Sequence, residues 1–156
     1  MSVVLVRLRV GLQLILAVLL AVLFADLVLQ IGSRYLVQRA LIWTEEVSRF
    51  LLVWIVFLGA ALAVHARAHF VVEILTERLP SRLHRWWMVA IAASLIGLMA
   101  TFLYQGIVFG ELGLHSRSPS LGLPMIYVYA AVPVSAACMI VFFLAEIRQR
   151  LADRRG

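Results

Sequence analysis

The chain contains no lysine and one cysteine in 156 residues, and only 14% of it is charged. A soluble domain is about 25% charged and about 45–50% apolar. This sequence is 64% hydrophobic, with a mean hydropathy of +1.02. So few charges cannot clothe a water-facing surface, which argues against a soluble fold and makes lipid the natural solvent. The lone Cys138 excludes an internal disulfide and a CxxC redox pair. All 14 basic residues are arginine, a usage in keeping with a GC-rich bacterium, and the net charge is +6. These arginines sit beside apolar runs rather than on one polar face, so nucleic acid is not the expected partner.

Period-2 alternation is also missing, and unpaired backbone groups cannot face lipid. The expected class is therefore all-α. Four apolar stretches, residues 10–31, 47–64, 86–109 and 124–145, are long enough to cross about 30 Å of hydrocarbon as helices. Together they make residues 1–156 one membrane domain with no internal repeat. Arg7 and Arg9 ahead of the first stretch resemble a signal peptide. The run is too long for one, no A-x-A site closes it, and a retained helix is expected. If the spans alternate, Arg7, Arg9, Arg67, Arg78, Arg82, Arg85, Arg148, Arg150, Arg154 and Arg155 share one side. Arg34, Arg39, Arg49 and Arg117 lie on or near the other, which places both termini in the cytoplasm.

The connectors have structure of their own. Residues 70–79 read FVVEILTERL, with Val71, Ile74 and Leu75 on one helical face and Glu73, Thr76 and Glu77 opposite. Pro80 ends the pattern. That predicts a short cytoplasmic interfacial helix, or alternatively an extension of the second span. Residues 116–124 (SRSPSLGLP) are a turn-rich loop, with Pro124 suited to the first turn of the last helix and Pro133 placed to kink it. Trp43, Trp86, Trp87, Tyr127 and Tyr129 lie near span ends, as in an aromatic belt. Small residues recur at helical spacing, namely Ala93, Gly97 and Thr101, Gly106 and Gly110, and Gly59 and Ala63. They let helix backbones approach closely, within this chain or against another.

The middle of every span lacks acids, bases and histidines. Residues 50–64, 89–109 and 125–145 are clean, and Asp26 is the only acid within the first stretch. Charges buried in membranes mark ion or substrate paths. Asp26 is therefore either a proton-coupling carboxylate, as in small exporters, or an interfacial acid that is solvated or paired with Arg49. Glu45, Glu46 and Arg49 cluster where the second helix begins, with Thr44 as its cap and Glu45–Arg49 as an i,i+4 pair. The same acids also suit an inter-subunit or lipid-headgroup contact. His65 and His69 share a helix face, but His84 borders a span and His115 lies in a loop. That arrangement lacks the ligand spacing of a haem or metal centre, and neither group is expected.

From Arg34 the sequence runs RYLVQRALIWTEEVSRFLLVWIVFLGAALAVHARAHFVVEIL. The ordered set Arg34–Tyr35, Trp43, Glu45–Glu46, Arg49, Trp54, Gly59–Ala60–Ala61 and His69, with Leu121–Gly122–Leu123–Pro124 and Pro133 later, closely resembles one family. It is the DctQ-type small membrane subunit of tripartite ATP-independent periplasmic (TRAP) transporters. The resemblance covers essentially the whole chain. It implies a non-enzymatic subunit of the bacterial inner membrane, without a cofactor. This subunit would be partnered by a larger membrane subunit that holds the substrate and sodium sites, and by a periplasmic substrate-binding protein that delivers an organic acid. It would scaffold the large subunit and help dock the binding protein. Arg34, Tyr35, Glu45, Glu46, Arg49, Trp54, Gly59 and His69 then become candidates for subunit or lipid contact. Two other classes remain open from the residues themselves: a stand-alone proton-coupled exporter working through Asp26, and a histidine-ligated electron carrier.

Overall fold

The computed structural model describes residues 3–39, 41–76 and 81–153, with side-chain surroundings for 5–39, 41–64 and 93–145. The chain is all-α. In order come α1 (Val3–Leu36), α2 (Ile42–Thr76), α3 (Ser81–His115), α4 (Ile126–Tyr129) and α5 (Ala131–Asp153). Among the described residues, four segments are long and apolar enough to span a bilayer: Leu5–Leu36, Ile42–Val64, Ala93–His115 and Ile126–Ala145. Each long helix runs past the apolar stretch that announces it. Hydrogen bonding continues where hydropathy stops, because water satisfies a protruding helix end as readily as a coil. Among the described residues there is no strand, and one isolated bridge joins Arg117 to Pro124.

Three expectations are corrected here. Residues 70–76 are not a separate interfacial helix but continue α2, while 77–80 lie outside the described residues. Thr44 does not cap α2, which begins two residues earlier at Ile42. Thr44 is fully buried, and its hydroxyl donates to the Leu41 carbonyl at 2.6 Å. Pro124 is not in the last helix but pairs with Arg117 in the loop, and Ile126 starts the helix instead.

Pro133 breaks the last span as its chemistry requires. It has no N–H for the carbonyl of Tyr129, four residues earlier. The helix is interrupted at Ala130 and resumes at Ala131.

The helices pack in a row: α1 on α2, α2 on α5, and α5 on α3. α3 also lies along α4. Leu12, Leu58 and Phe142 are the buried centre where α1, α2 and α5 meet, flanked by Leu5, Leu8, Leu16, Leu19, Trp54, Leu62 and Cys138. The α3 contact is closest at glycines. A Cβ on Gly106 would stand 2.7 Å from Pro133 Cδ, and one on Gly113 would stand 2.7 Å from the Ile126 amide nitrogen. Gly106 and Gly113 are seven residues apart, two turns on one face. Phe109 adds an edge-to-face contact with Tyr129, centroids 6.5 Å apart. Ala93, Gly97 and Thr101, by contrast, point outward.

Candidate functional site

Antiparallel helices bring the end of α1, the start of α2 and the α3–α4 loop to one end of the molecule. The polar residues of the described chain concentrate there. Asp26, Ser33, Thr44, Glu46 and Ser118 are all buried at this end, and among the described residues the other buried side chains are apolar apart from Ser135. Ser135 returns its hydroxyl to the Ala131 and Val132 carbonyls of its own helix.

Glu46 is the keystone of this end. It sits in the first turns of α2, on the side facing the loop. One carboxylate oxygen, Oε2, accepts from the Ser120 hydroxyl at 2.5 Å, the Ser120 amide at 3.1 Å and the Leu121 amide at 3.0 Å. The loop is shaped to offer those donors. Gly122 takes φ +66°, a left-handed conformation that glycine adopts without a Cβ clash. That lets its amide reach back to the Ser118 carbonyl at 3.0 Å, while the Ser118 amide donates to Leu123 O at 2.8 Å. The Met125 amide closes onto Ser116 O at 2.9 Å, and the Arg117 guanidinium donates to Gly122 O at 3.2 Å. A carboxylate accepting two consecutive backbone amides is a strong, charge-assisted arrangement. It fastens the loop to α2 across 74 residues of sequence.

Trp54 makes a second tie, two turns further down α2. Its ring lies beside the core, and Nε1 donates to the Tyr127 carbonyl of α4 at 3.0 Å.

α1 is attached by two polar contacts. Arg34 Nη2 lies 3.3 Å from Glu45 Oε1, both side chains being more than half exposed. This pair bridges the turn in which Gln38 takes φ 54°. About one turn further along α2 and two turns back along α1, the Ser48 hydroxyl donates to Asp26 Oδ2 at 2.5 Å.

The expected Asp26–Arg49 pair is therefore corrected: Asp26 is bound by Ser48 and makes no ion pair among the described residues. Adjacent helical positions point about 100° apart. The register that aims Ser48 at α1 therefore turns Arg49 outward, where it is exposed. Glu45 likewise pairs with Arg34 rather than with Arg49 four residues on.

Of the other candidate contact residues, Tyr35 is exposed, and Gly59 has nothing within 4 Å of a built Cβ. His69, like His65 and His84, lies outside the residues whose side chains are described. Glu46 and Trp54 are occupied by this chain's own α3–α4 loop and α4. Sequence reading missed Ser48, Ser118, Ser120 and Gly113. The seven-residue spacing of Gly106 and Gly113 signals the last, but nothing local couples Glu46 to Ser120.

This site can fasten and orient; among the described residues it brings together no nucleophile–base pair and no chain of titratable groups running along the spans. Among the described residues no three metal-ligating side chains come together.

Comparison with known proteins bears directly on this arrangement. A family model described as "Tripartite ATP-independent periplasmic transporters, DctQ component" matches residues 23–153. The chain is 32% identical over 136 residues to the isethionate TRAP transporter permease protein DctMQ of Oleidesulfovibrio alaskensis, covering 85% of this chain and 21% of that protein. It is 35% identical over 113 residues to the C4-dicarboxylate TRAP transporter small permease protein DctQ of Rhodobacter capsulatus, covering 67% and 47%. Similarity to the sialic acid TRAP transporter small permease protein SiaQ of Vibrio cholerae is 22% over 129 residues, covering 83% and 75%. The chain thus spans about a fifth of the first of these relatives and about half of the second.

Proposed function

Since the chain belongs to the DctQ component family of tripartite ATP-independent periplasmic transporters, and is a multi-pass inner-membrane protein, we propose that it supports transport without conducting it. In this reading it scaffolds a large permease subunit that carries substrate and sodium. It also helps to dock a periplasmic binding protein that delivers an organic acid. The observation that carries the reading is the distribution of polar groups. Among the described residues the buried polar groups gather at one end, where they tie helix to helix, and the span residues 50–64, 93–109 and 125–145 carry no acid, base or histidine.

The arginine asymmetry supports an orientation. With alternating spans, ten of the fourteen arginines in the sequence fall on the side of both termini, and the positive-inside rule favours the cytoplasm for that side. The Glu46-fastened loop then faces the periplasm, on the side from which a binding protein arrives. A loop held by three hydrogen bonds to one carboxylate oxygen presents a fixed shape to such a partner and loses little entropy on docking. The names of the relatives span isethionate, a C4-dicarboxylate and sialic acid, all anionic. This supports an organic acid as cargo.

The test is uptake into proteoliposomes. Vesicles holding the large subunit, given binding protein, a sodium gradient and a labelled organic acid, are expected to accumulate it only when this chain is also present. Equal uptake without it would remove the supporting role.

A further inference from the structure

α2 leaves one face without a partner among the described residues. From Arg49 onward its exposed residues are Arg49, Leu52, Val56, Ala60 and Ala63. Successive members are three or four positions apart, so the five form a single stripe down the helix.

The stripe has a chemistry as well as a shape. Arg49 stands seven residues inside the apolar segment Ile42–Val64, about 10 Å along the axis at 1.5 Å per residue. It forms no ion pair among the described residues, because every acid near it is engaged elsewhere. Asp26 is held by Ser48, Glu46 by the loop and Glu45 by Arg34. A guanidinium on the outward face of a span is costly without a counter-charge, and membrane proteins meet that cost by pairing. Lower down, the stripe shrinks from Leu52 and Val56 to Ala60 and Ala63, beside a Gly59 whose Cβ position is open.

We propose that this stripe is the contact face for a transmembrane helix of the large permease subunit, and that this helix carries a carboxylate level with Arg49. The proposal rests on reading the chain as a small permease subunit, and it names the face and the chemistry of the contact. Two features favour a helix over a phospholipid as occupant. A headgroup reaches only the interface, whereas the stripe continues down the span. Small side chains favour the close approach of a helix backbone, which acyl chains do not need. The planar guanidinium fork also matches a carboxylate in two parallel hydrogen bonds.

The experiment is co-purification of the large subunit with this chain, tagged and co-expressed. Arg49→Glu, which destroys a desolvated charge pair, and Ala60→Trp, which blocks close helix approach, are each expected to lower recovery about tenfold or more. Arg49→Lys should keep part of it. Leu14→Trp, an equally bulky change on the exposed face of α1, should leave recovery unchanged. Reversing the facing acid of the partner helix to arginine should restore binding to Arg49→Glu.

Misfolding is separated by the melting profile of each purified variant alone. If the wild-type chain recovers no large subunit, the small-subunit reading fails. If it recovers the subunit and both stripe variants do so equally well, the face assignment alone fails. A third outcome also overturns the proposal: Arg49→Glu strips a phospholipid, seen by native mass spectrometry, while the large subunit stays bound.

Discussion

Two glycines four residues apart on α3 look interchangeable in sequence, yet the structure assigns them opposite responses to a single methyl group. An alanine Cβ at Gly106 would lie 2.7 Å from Pro133 Cδ, 2.9 Å from Pro133 N and 3.1 Å from Val132 Cγ1. The first two belong to a proline ring and its backbone, which cannot swing aside, so α3 and α5 must separate. Overpacking of this kind costs about 1–3 kcal/mol. Against it stands the gain of about 0.5–1 kcal/mol for alanine over glycine inside a helix. The net expectation for Gly106→Ala is a loss of up to about 2.5 kcal/mol, centred near 1 kcal/mol. At Gly110 a built Cβ meets nothing within 4 Å, so Gly110→Ala should be neutral or stabilising by up to about 1 kcal/mol. The assay is thermal unfolding of the purified protein in detergent. A soluble chain of similar size shifts by about 2–4 °C per kcal/mol. Reactivity of Cys138, which borders the core, provides a second readout. Equal destabilisation by both variants, or a Gly106→Ala protein that melts like wild type, would refute the packing described.

Other expectations follow from single contacts. Glu46→Ala removes the shared acceptor of Ser120 and Leu121, and hydrogen exchange of those two amides should quicken while that of mid-span α2 amides stays unchanged. Glu46→Gln keeps an acceptor oxygen and should lie between. A double-mutant cycle on melting temperature should show coupling between Asp26→Asn and Ser48→Ala, and none between Asp26→Asn and Arg49→Gln, because only the first pair is in contact. Gln38→Gly should stabilise the α1–α2 turn by up to about 1 kcal/mol, since Gln38 holds φ 54° where glycine meets no Cβ clash. An unchanged or lower melting temperature would count against that turn conformation.

Hydropathy alone makes the spans readable in the sequence. Lipid demands long apolar stretches, and few other environments tolerate them. Pro133 was equally legible, because a missing N–H acts within one turn. What escaped depended on where helix faces turn. Residues 70–76 carry an amphipathic pattern that fits an interfacial helix and the tail of α2 alike, and only the unbroken hydrogen bonding of α2 decides between them. Arg49 is charged and adjacent to Ser48, so charge alone nominated it as the partner of Asp26. A 100° step around the helix gave that place to the serine. The small-residue stripes show the same gap. Gly106 meets Pro133 while Gly97 faces outward, and sequence spacing is identical on a packed face and an open one. The Glu46–Ser120 contact had no local signature, since its partners are brought together by topology rather than by proximity in the chain.

The central claim is that solute does not pass through this polypeptide. Its most direct measurement is flux through the purified chain alone, reconstituted in vesicles and offered a labelled organic acid with an imposed sodium or proton gradient. The account predicts uptake no greater than in empty vesicles under either gradient. Gradient-dependent uptake that disappears in an Asp26→Asn variant of intact fold would contradict it, and would make the chain a transporter in its own right.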